Sequence, residues 1–471
     1  MDVVMHRNVV LVCLDAVRKD YFEKHASRLK ALSEVSFDQC RAASSWSVPS
    51  HASMITGQLP HQHGVHTHNR DFSTIDREQT LFEQLPAEYQ TVGISANVYA
   101  GPSHNFDRFF DTFVNVPRYQ YFTEGLNATE FIHNADSTDL SLYLDYLAAA
   151  LGHEKPTKSL VNGVMAQAKQ FSMGRRVPDP MDDGAQAASR AATKLIADTD
   201  RPTFMFMNLM EAHEPYSHFR GLDRSLHSAP LSWVHSANDY WDVVNQPGAY
   251  TEHVRLLREL YVANVDYLDR IVAELVTTIQ QRTDRETTVI ITADHGENLV
   301  FAHEDHLLGH KSSLSESLLH VPLEIINPPG GYAAIESGYV SHCRLPELIG
   351  GLARNRSPDV CTERVAAELV GMSGGPEPPS DREWWDRMQR CVYDGSRKVV
   401  WDSVGHVSAY DLDADRPCWQ VTGDEADGVP AWAAEFFDQE IGGYKRSARE
   451  NERQQTVDAA TQRRLADLGY L

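Results

Sequence analysis

The chain has 471 residues, of which 42% are hydrophobic and 23% charged, values that exclude a disordered, collagenous or disulfide-scaffold protein. With 43 Lys plus Arg against 66 Asp plus Glu, the formal charge of -23 argues against sequence-independent binding to nucleic acid or to an anionic membrane. Six cysteines are dispersed without a CxxC pair, and no apolar stretch reaches the roughly 20 residues of a membrane span, so a cytoplasmic chain with free thiols and no membrane insertion is expected.

Taken in order, the first element is the apolar run Val9 to Leu14, a buried strand that ends on Asp15. Next comes Ser44 through Gly57, where Pro49 suits the first turn of a helix and Gly57 its end, so that Ser47 lies at or just before the N-terminus. Thr91 to Ser95 reads as a second strand, and about 115–195 as a mixed, helix-leaning insertion. Thr203 to Leu209 is a further strand, followed by Glu211 and His213, and then by a Trp-, His- and Ser-rich loop over about 216–250. From His253 to Gln280 apolar residues recur three or four apart, the stripe of a long amphipathic helix. Thr288 to Thr292 is a strand ending on Asp294 and His295, and Val321 to Ile326 another. Pro376 to Ser380 resembles a linker; Lys398 to Trp401 and His406 to Tyr410 read as short antiparallel strands, and Glu450 to Leu468 as a terminal helix. The expected architecture is α/β: a large, mostly parallel sheet between helices over 1–380, with a small α+β subdomain over 381–471.

In open α/β sheets the functional crevice lies beyond the carboxyl ends of the strands. Asp15, Asp294 and His295 occupy such ends, and two carboxylates with a histidine can hold one divalent cation, whether Mg²⁺, Mn²⁺, Ca²⁺ or Zn²⁺. A serine at a helix N-terminus faces free N–H groups that favour an anion, and a metal can activate it as a nucleophile; a plain helix cap is the other reading of Ser47. His303, Glu304, Asp305 and His306 precede Gly309, His310 and Lys311. His310 and Lys311 can grip an anionic group or protonate a leaving oxygen, and His303 with His306 offers an alternative second metal site.

Together these segments resemble the sulfatase family of the alkaline phosphatase superfamily. Leu14 to Asp20 is similar to its first metal motif, Ser47 to Gly57 with Pro60 and His63-Gly64 to its nucleophile signature, and Asn97 with Phe106 to Asp111 to a further family segment. His213-Glu214-Pro215-Tyr216 looks like its substrate-side segment, Thr292 to Glu297 its second metal motif, and Gly309-His310-Lys311 its basic motif. Val321-Pro322-Leu323 and the ending Arg464 to Leu471 fit as well. The resemblance implies an alkaline-phosphatase-like fold and a hydrolase of small anionic esters. It implies that Asp15, Ser47, Asp294 and His295 bind one divalent cation, with Ser47 as nucleophile and His213, His310 and Lys311 at the anionic group or leaving oxygen. Two positions depart from the pattern. Ala16 stands where sulfatases have a second aspartate, and His51 where the signature that directs oxidation to formylglycine has arginine. Sulfate-ester hydrolysis is therefore the first expectation. Hydrolysis of phosphate or phosphonate esters, or phosphoryl transfer, by unmodified Ser47 is the alternative, and a non-catalytic binding protein a third.

Overall fold

A computed structural model describes residues 6–118, 120–133, 135, 140–172, 177–216, 218–233, 235, 240–423, 428–453, 461, 462 and 465. Its strands, in chain order, are β1 (Asn8–Leu14), β2 (Val35–Arg41), β3 (Gln90–Ser95), β4 (Thr112–Asn115), β5 (Thr203–Leu209), β6 (Thr287–Thr292), β7 (Asn298–Leu299), β8 (Leu308–Gly309), β9 (Leu323–Ile326), β10 (Ile335–Ser341), β11 (Arg364–Val370), β12 (Met388–Asp394), β13 (Arg397–Asp402), β14 (Val407–Leu412) and β15 (Gln420–Thr422).

Eight of these form one sheet in the order β10-β2-β9-β6-β1-β5-β3-β4. Its central strands β1, β5 and β6 are buried at every position, which is why they read as unbroken apolar runs. All pairings are parallel except those of β9, which runs against both β2 and β6, with Thr292 opposite Leu323. Segment 293–322 therefore leaves and re-enters the sheet at the same end, the one at which the parallel strands finish. The Thr251–Arg282 helix, about 48 Å long at 1.5 Å per residue, packs with the Ala185–Ala197 helix as part of the helical cover.

A second sheet, antiparallel in the order β11-β12-β13-β14-β15, begins at Arg364, upstream of the Pro376 to Ser380 stretch. Val370, Met388, Val392, Val399 and Trp401 form a second small core with Ala433 and Ile441, which Ala43 and Leu59 join from the first part of the chain. A described helix covers Ile441–Glu450 and ends where the expected Glu450 to Leu468 helix begins, with Asn451 as its cap; most of that expected helix, and the Arg464 to Leu471 ending apart from Leu465, lie outside the described residues.

The two sheets are joined by buried charge. Glu316 lies 3.0 Å from Arg41 at the end of β2 and 3.0 Å from Lys398 in β13, all three nearly inaccessible. Burial alone would raise the Glu316 pKa, but Arg41 and Lys398 outweigh it and hold the carboxyl at about 2. A group depressed below its ordinary 4.5 adds stability that is complete above that value and is lost as pH falls through about 2. Denaturant titrations from pH 5 to about pH 2 should show this extra loss in the wild type and not in Glu316→Gln, which at neutral pH should be less stable by about 3–5 kcal/mol because two cations stay buried. Equal slopes in the two proteins would remove Glu316 from this role.

Candidate metal centre and nucleophile

Helix Ser47–Thr56 begins at Ser47 after the extended Trp46 and ends at Gly57, whose φ of 75° closes it. Ser47 thus sits where helical geometry leaves N–H groups without partners and the dipole is positive. Its Oγ lies 3.4 Å from Asp15 Oδ2 and 3.4 Å from His295 Nε2. One oxygen of Asp15, one of Asp294 and a ring nitrogen of His295 fall within 4.8 Å of one another, and all three residues are fully buried.

This donor set fits a divalent cation. Asp15 Oδ1 and Asp294 Oδ2 are buried oxygens without a hydrogen-bond partner among the described residues. Burial and the neighbouring Asp294 charge push Asp15 well above the usual carboxylate range, whereas at Asp294 the effect of burial is outweighed by His295 and His51, which hold it below that range. His295 Nδ1 faces the Gly296 carbonyl at 2.8 Å and so carries the proton, turning Nε2 towards the carboxylates as an acceptor. Gly296 permits this turn: a Cβ there would stand 2.0 Å from the Ser317 carbonyl oxygen. Ala16 adopts φ 62°, a left-handed conformation that costs a non-glycine residue about 1–2 kcal/mol. Its N–H donates to Asp294 at 3.4 Å and its carbonyl accepts from Tyr261 at 2.7 Å, so the chain bends sharply just after Asp15.

His310 and His213 complete one wall. The His310 ring is 4.5 Å from that of His295 and 5.0 Å from that of His213, measured between centroids. Burial lowers His213 to about 4 and His310 well below its ordinary value, leaving both imidazoles neutral at neutral pH. His213 Nδ1 donates to the Glu214 carbonyl, and His310 Nδ1 lies 3.0 Å from Glu297 Oε1. Lys311 is buried; its Nζ donates to the Gly374 carbonyl at 3.0 Å and lies 4.6 Å from the centre of the Tyr240 ring. Burial lowers its pKa, and the charges of Glu214 and Glu297 oppose that shift.

Several sequence candidates lie elsewhere. Glu211 turns away, accepting from Ala185 N–H at 2.7 Å at the start of the Ala185–Ala197 helix. Arg18 pairs with Glu304 and Asp20 and donates to the Glu297 carbonyl, which makes it a local brace of the 294–304 segment. His303 lies against Trp419, ring centroids 3.9 Å apart, and His306 is exposed; neither joins a metal-ligand cluster among the described residues.

Other contributors were not singled out as site residues. Asn97, just beyond β3, donates to Asp15 Oδ2 at 2.7 Å and to Ser47 Oγ at 3.1 Å. Its position after a strand was the available signal, and its neutral side chain is what hid it. Asn208, inside β5, donates to Asp15 Oδ2 at 3.3 Å and lies 3.2 Å from His51 Nε2, while His51 Nδ1 donates to the Ser47 carbonyl at 2.7 Å. His51 therefore clamps the turn that presents Ser47.

A serine at a helix start, ringed by strand-end carboxylates and imidazoles at the carboxyl edge of a large sheet, defines an α/β protein with a candidate metal centre. The sulfatase family model matches residues 7–354, and the chain belongs to the sulfatase family. A curated relative, the uncharacterized sulfatase YidJ of Escherichia coli (strain K12), is 22% identical over an alignment of 357 residues that covers 69% of this chain and 62% of that protein, less than two thirds of its length. Among solved structures, a putative sulfatase from Bacteroides thetaiotaomicron VPI-5482 has TM-score 0.58 and 13% identity, covering 97% of this chain and 96% of that one. The phosphonate monoester hydrolase of Agrobacterium radiobacter has TM-score 0.58 and 15% identity, covering 98% and 95%. Both are similar in fold. No helix among the described residues is long and apolar enough to cross a membrane.

Proposed function

We propose that the chain is a metal-dependent hydrolase of sulfate esters that acts through Ser47. The observation that carries this reading is the Ser47 Oγ, 3.4 Å from both Asp15 and His295 at the start of a helix. Asp15, Asp294, His295 and Ser47 would hold one divalent cation, of which Ca²⁺, Mg²⁺, Mn²⁺ and Zn²⁺ all suit the oxygen-rich set. When bound, such an ion polarises an ester oxygen and favours the ionised serine.

The chain's own groups do the rest. Asn97 holds Ser47 Oγ in place by its 3.1 Å hydrogen bond. The oxygen attacks sulfur in line, the bond to the leaving oxygen breaks, and the sulfuryl group passes to Oγ before water releases it. Lys311 and the helix N-terminus offset the charge of the non-bridging oxygens. The proton that Ser47 Oγ gives up passes to His213 or His310, both neutral beforehand, and from that imidazole to the leaving oxygen. Six cysteines without a disulfide support a cytoplasmic setting, and Lys311 with the N-terminus of the Ser47 helix, against the net charge of -23, would favour a small anionic substrate.

A second reading rests on His51. It occupies the turn after Ser47 and bonds the Ser47 carbonyl, where the formylglycine signature has arginine, and so favours an unmodified serine that acts on phosphate or phosphonate esters. A panel of aryl sulfate, phosphate and phosphonate esters, paired with the mass of the peptide containing Ser47, separates the two. Preferred sulfate hydrolysis supports the first reading, and loss of two hydrogens at Ser47 would add formylglycine to it. Preferred phosphate or phosphonate hydrolysis by an intact serine replaces it with the second. No turnover of any ester by a metal-loaded protein leaves a binding protein.

A further inference from the structure

The helices Leu140–Gly152 and Pro156–Ser172, joined by three residues, pack as a hairpin in which Tyr146 lies over Gly163; a Cβ at Gly163 would stand 2.3 Å from that ring. The outer face of this hairpin is apolar. Tyr143, Leu144, Leu147, Leu151 and Val164 are 50%, 62%, 44%, 58% and 68% exposed. Seven of the ten large hydrophobic side chains that stand exposed among the described residues lie between Tyr143 and Val177. On the first helix, Tyr143, Leu147 and Leu151 recur every four residues with Leu144 beside them, so they form a single stripe.

We infer that this stripe is the contact surface of a homodimer, in which the Leu140–Gly152 helix lies antiparallel to the same helix of a second copy about a two-fold axis near Leu147. A two-fold contact needs a surface complementary to itself, and here Tyr143 of one copy meets Leu151 of the other while Leu147 meets Leu147. Charge selects this occupant. Asp145 is the one charged residue of the helix, and the pairing sets it against Ala149 rather than against itself. A helix that binds anionic lipid carries Lys or Arg on its polar face; this helix has none and belongs to a chain of net charge -23. Area agrees as well. Covering the four exposed large side chains of the stripe on each copy removes roughly 100 Å² apiece, about 800 Å² before the rim and the neighbouring Pro156–Ser172 helix with Val164 add to it, on the way to the roughly 1,200 Å² of stable interfaces.

Sedimentation velocity on the full chain, from about 1 to about 100 µM, tests this without reference to catalysis. The wild type and Leu147→Met should dimerise. Leu147→Glu, which sets a carboxylate against its own copy on the axis, should raise the dimer dissociation constant about tenfold or more. Leu147→Met should melt with the wild type, and Leu147→Glu should do so at the lowest concentration, where both are monomers, since Leu147 is a surface residue. A wild type that stays monomeric throughout, or a Leu147→Glu that dimerises as tightly, overturns the inference. So does a monomer that floats with phosphatidylcholine vesicles, which would make a lipid surface the occupant.

Discussion

Replacing Ser47 with alanine should lower kcat/KM for the preferred ester by at least about a thousandfold, a loss of about 4 kcal/mol of transition-state stabilisation. The change removes one oxygen from a fully buried site and leaves the helix start intact, because Pro49 and Gly57 still bound the helix. Asn97 keeps its 2.7 Å bond to Asp15, so the carboxylate stays oriented. The variant should therefore fold and bind metal through Asp15, Asp294 and His295 while losing the step that needs a nucleophile. Steady-state kinetics beside a thermal melt check this. Wild-type turnover in Ser47→Ala against every ester that the wild type cleaves would remove Ser47 from the mechanism.

Asp15→Asn should have opposite effects on the metal-free and metal-loaded protein. Two fully buried carboxylates with facing oxygens repel each other when nothing positive lies between them, and Asp15 Oδ1 has no hydrogen-bond partner among the described residues. Making one of them neutral should stabilise the chelator-treated protein by about 1–3 kcal/mol, the scale of an uncompensated buried polar group. The same change removes an anionic ligand and should weaken cation binding by about a hundredfold or more. In a melting experiment, millimolar divalent cation should raise the wild-type Tm and leave that of Asp15→Asn nearly unmoved. A variant less stable than the wild type in chelator, yet stabilised equally by the ion, would contradict the assignment of Asp15.

Much of this arrangement was legible in the sequence, for reasons visible in particular residues. Asn8–Leu14, Thr203–Leu209 and Thr287–Thr292 are buried on both faces, so their apolar runs marked the sheet, and the polar residues just beyond them marked its functional edge. Strands β2 and β10 escaped because they lie at one side of the sheet, where Ser36, Asp38 and Glu336 reach partial exposure and break the apolar pattern. Strand β9 was legible as a strand, but its direction depends on where the 293–322 segment returns, a property of the assembled fold. Glu211 and His213 looked equivalent beyond β5. A tight turn in which His213 N–H bonds the Met210 carbonyl at 3.0 Å parts them, sending one to the centre and the other to a helix end. Asn97 was legible as part of a family segment but not as a site residue, and Asn208 was hidden within a strand; neither carries a charge, and the three-dimensional arrangement brings both to Asp15.

Metal content measures the centre most directly. Elemental analysis of the purified chain after dialysis against mixed divalent cations should find one ion per chain in the wild type and less than about a tenth of that in Asp294→Asn, with ester hydrolysis following occupancy. A wild-type chain that takes up no cation, and gains no hydrolysis of any sulfate, phosphate or phosphonate ester when metal is added, would contradict it.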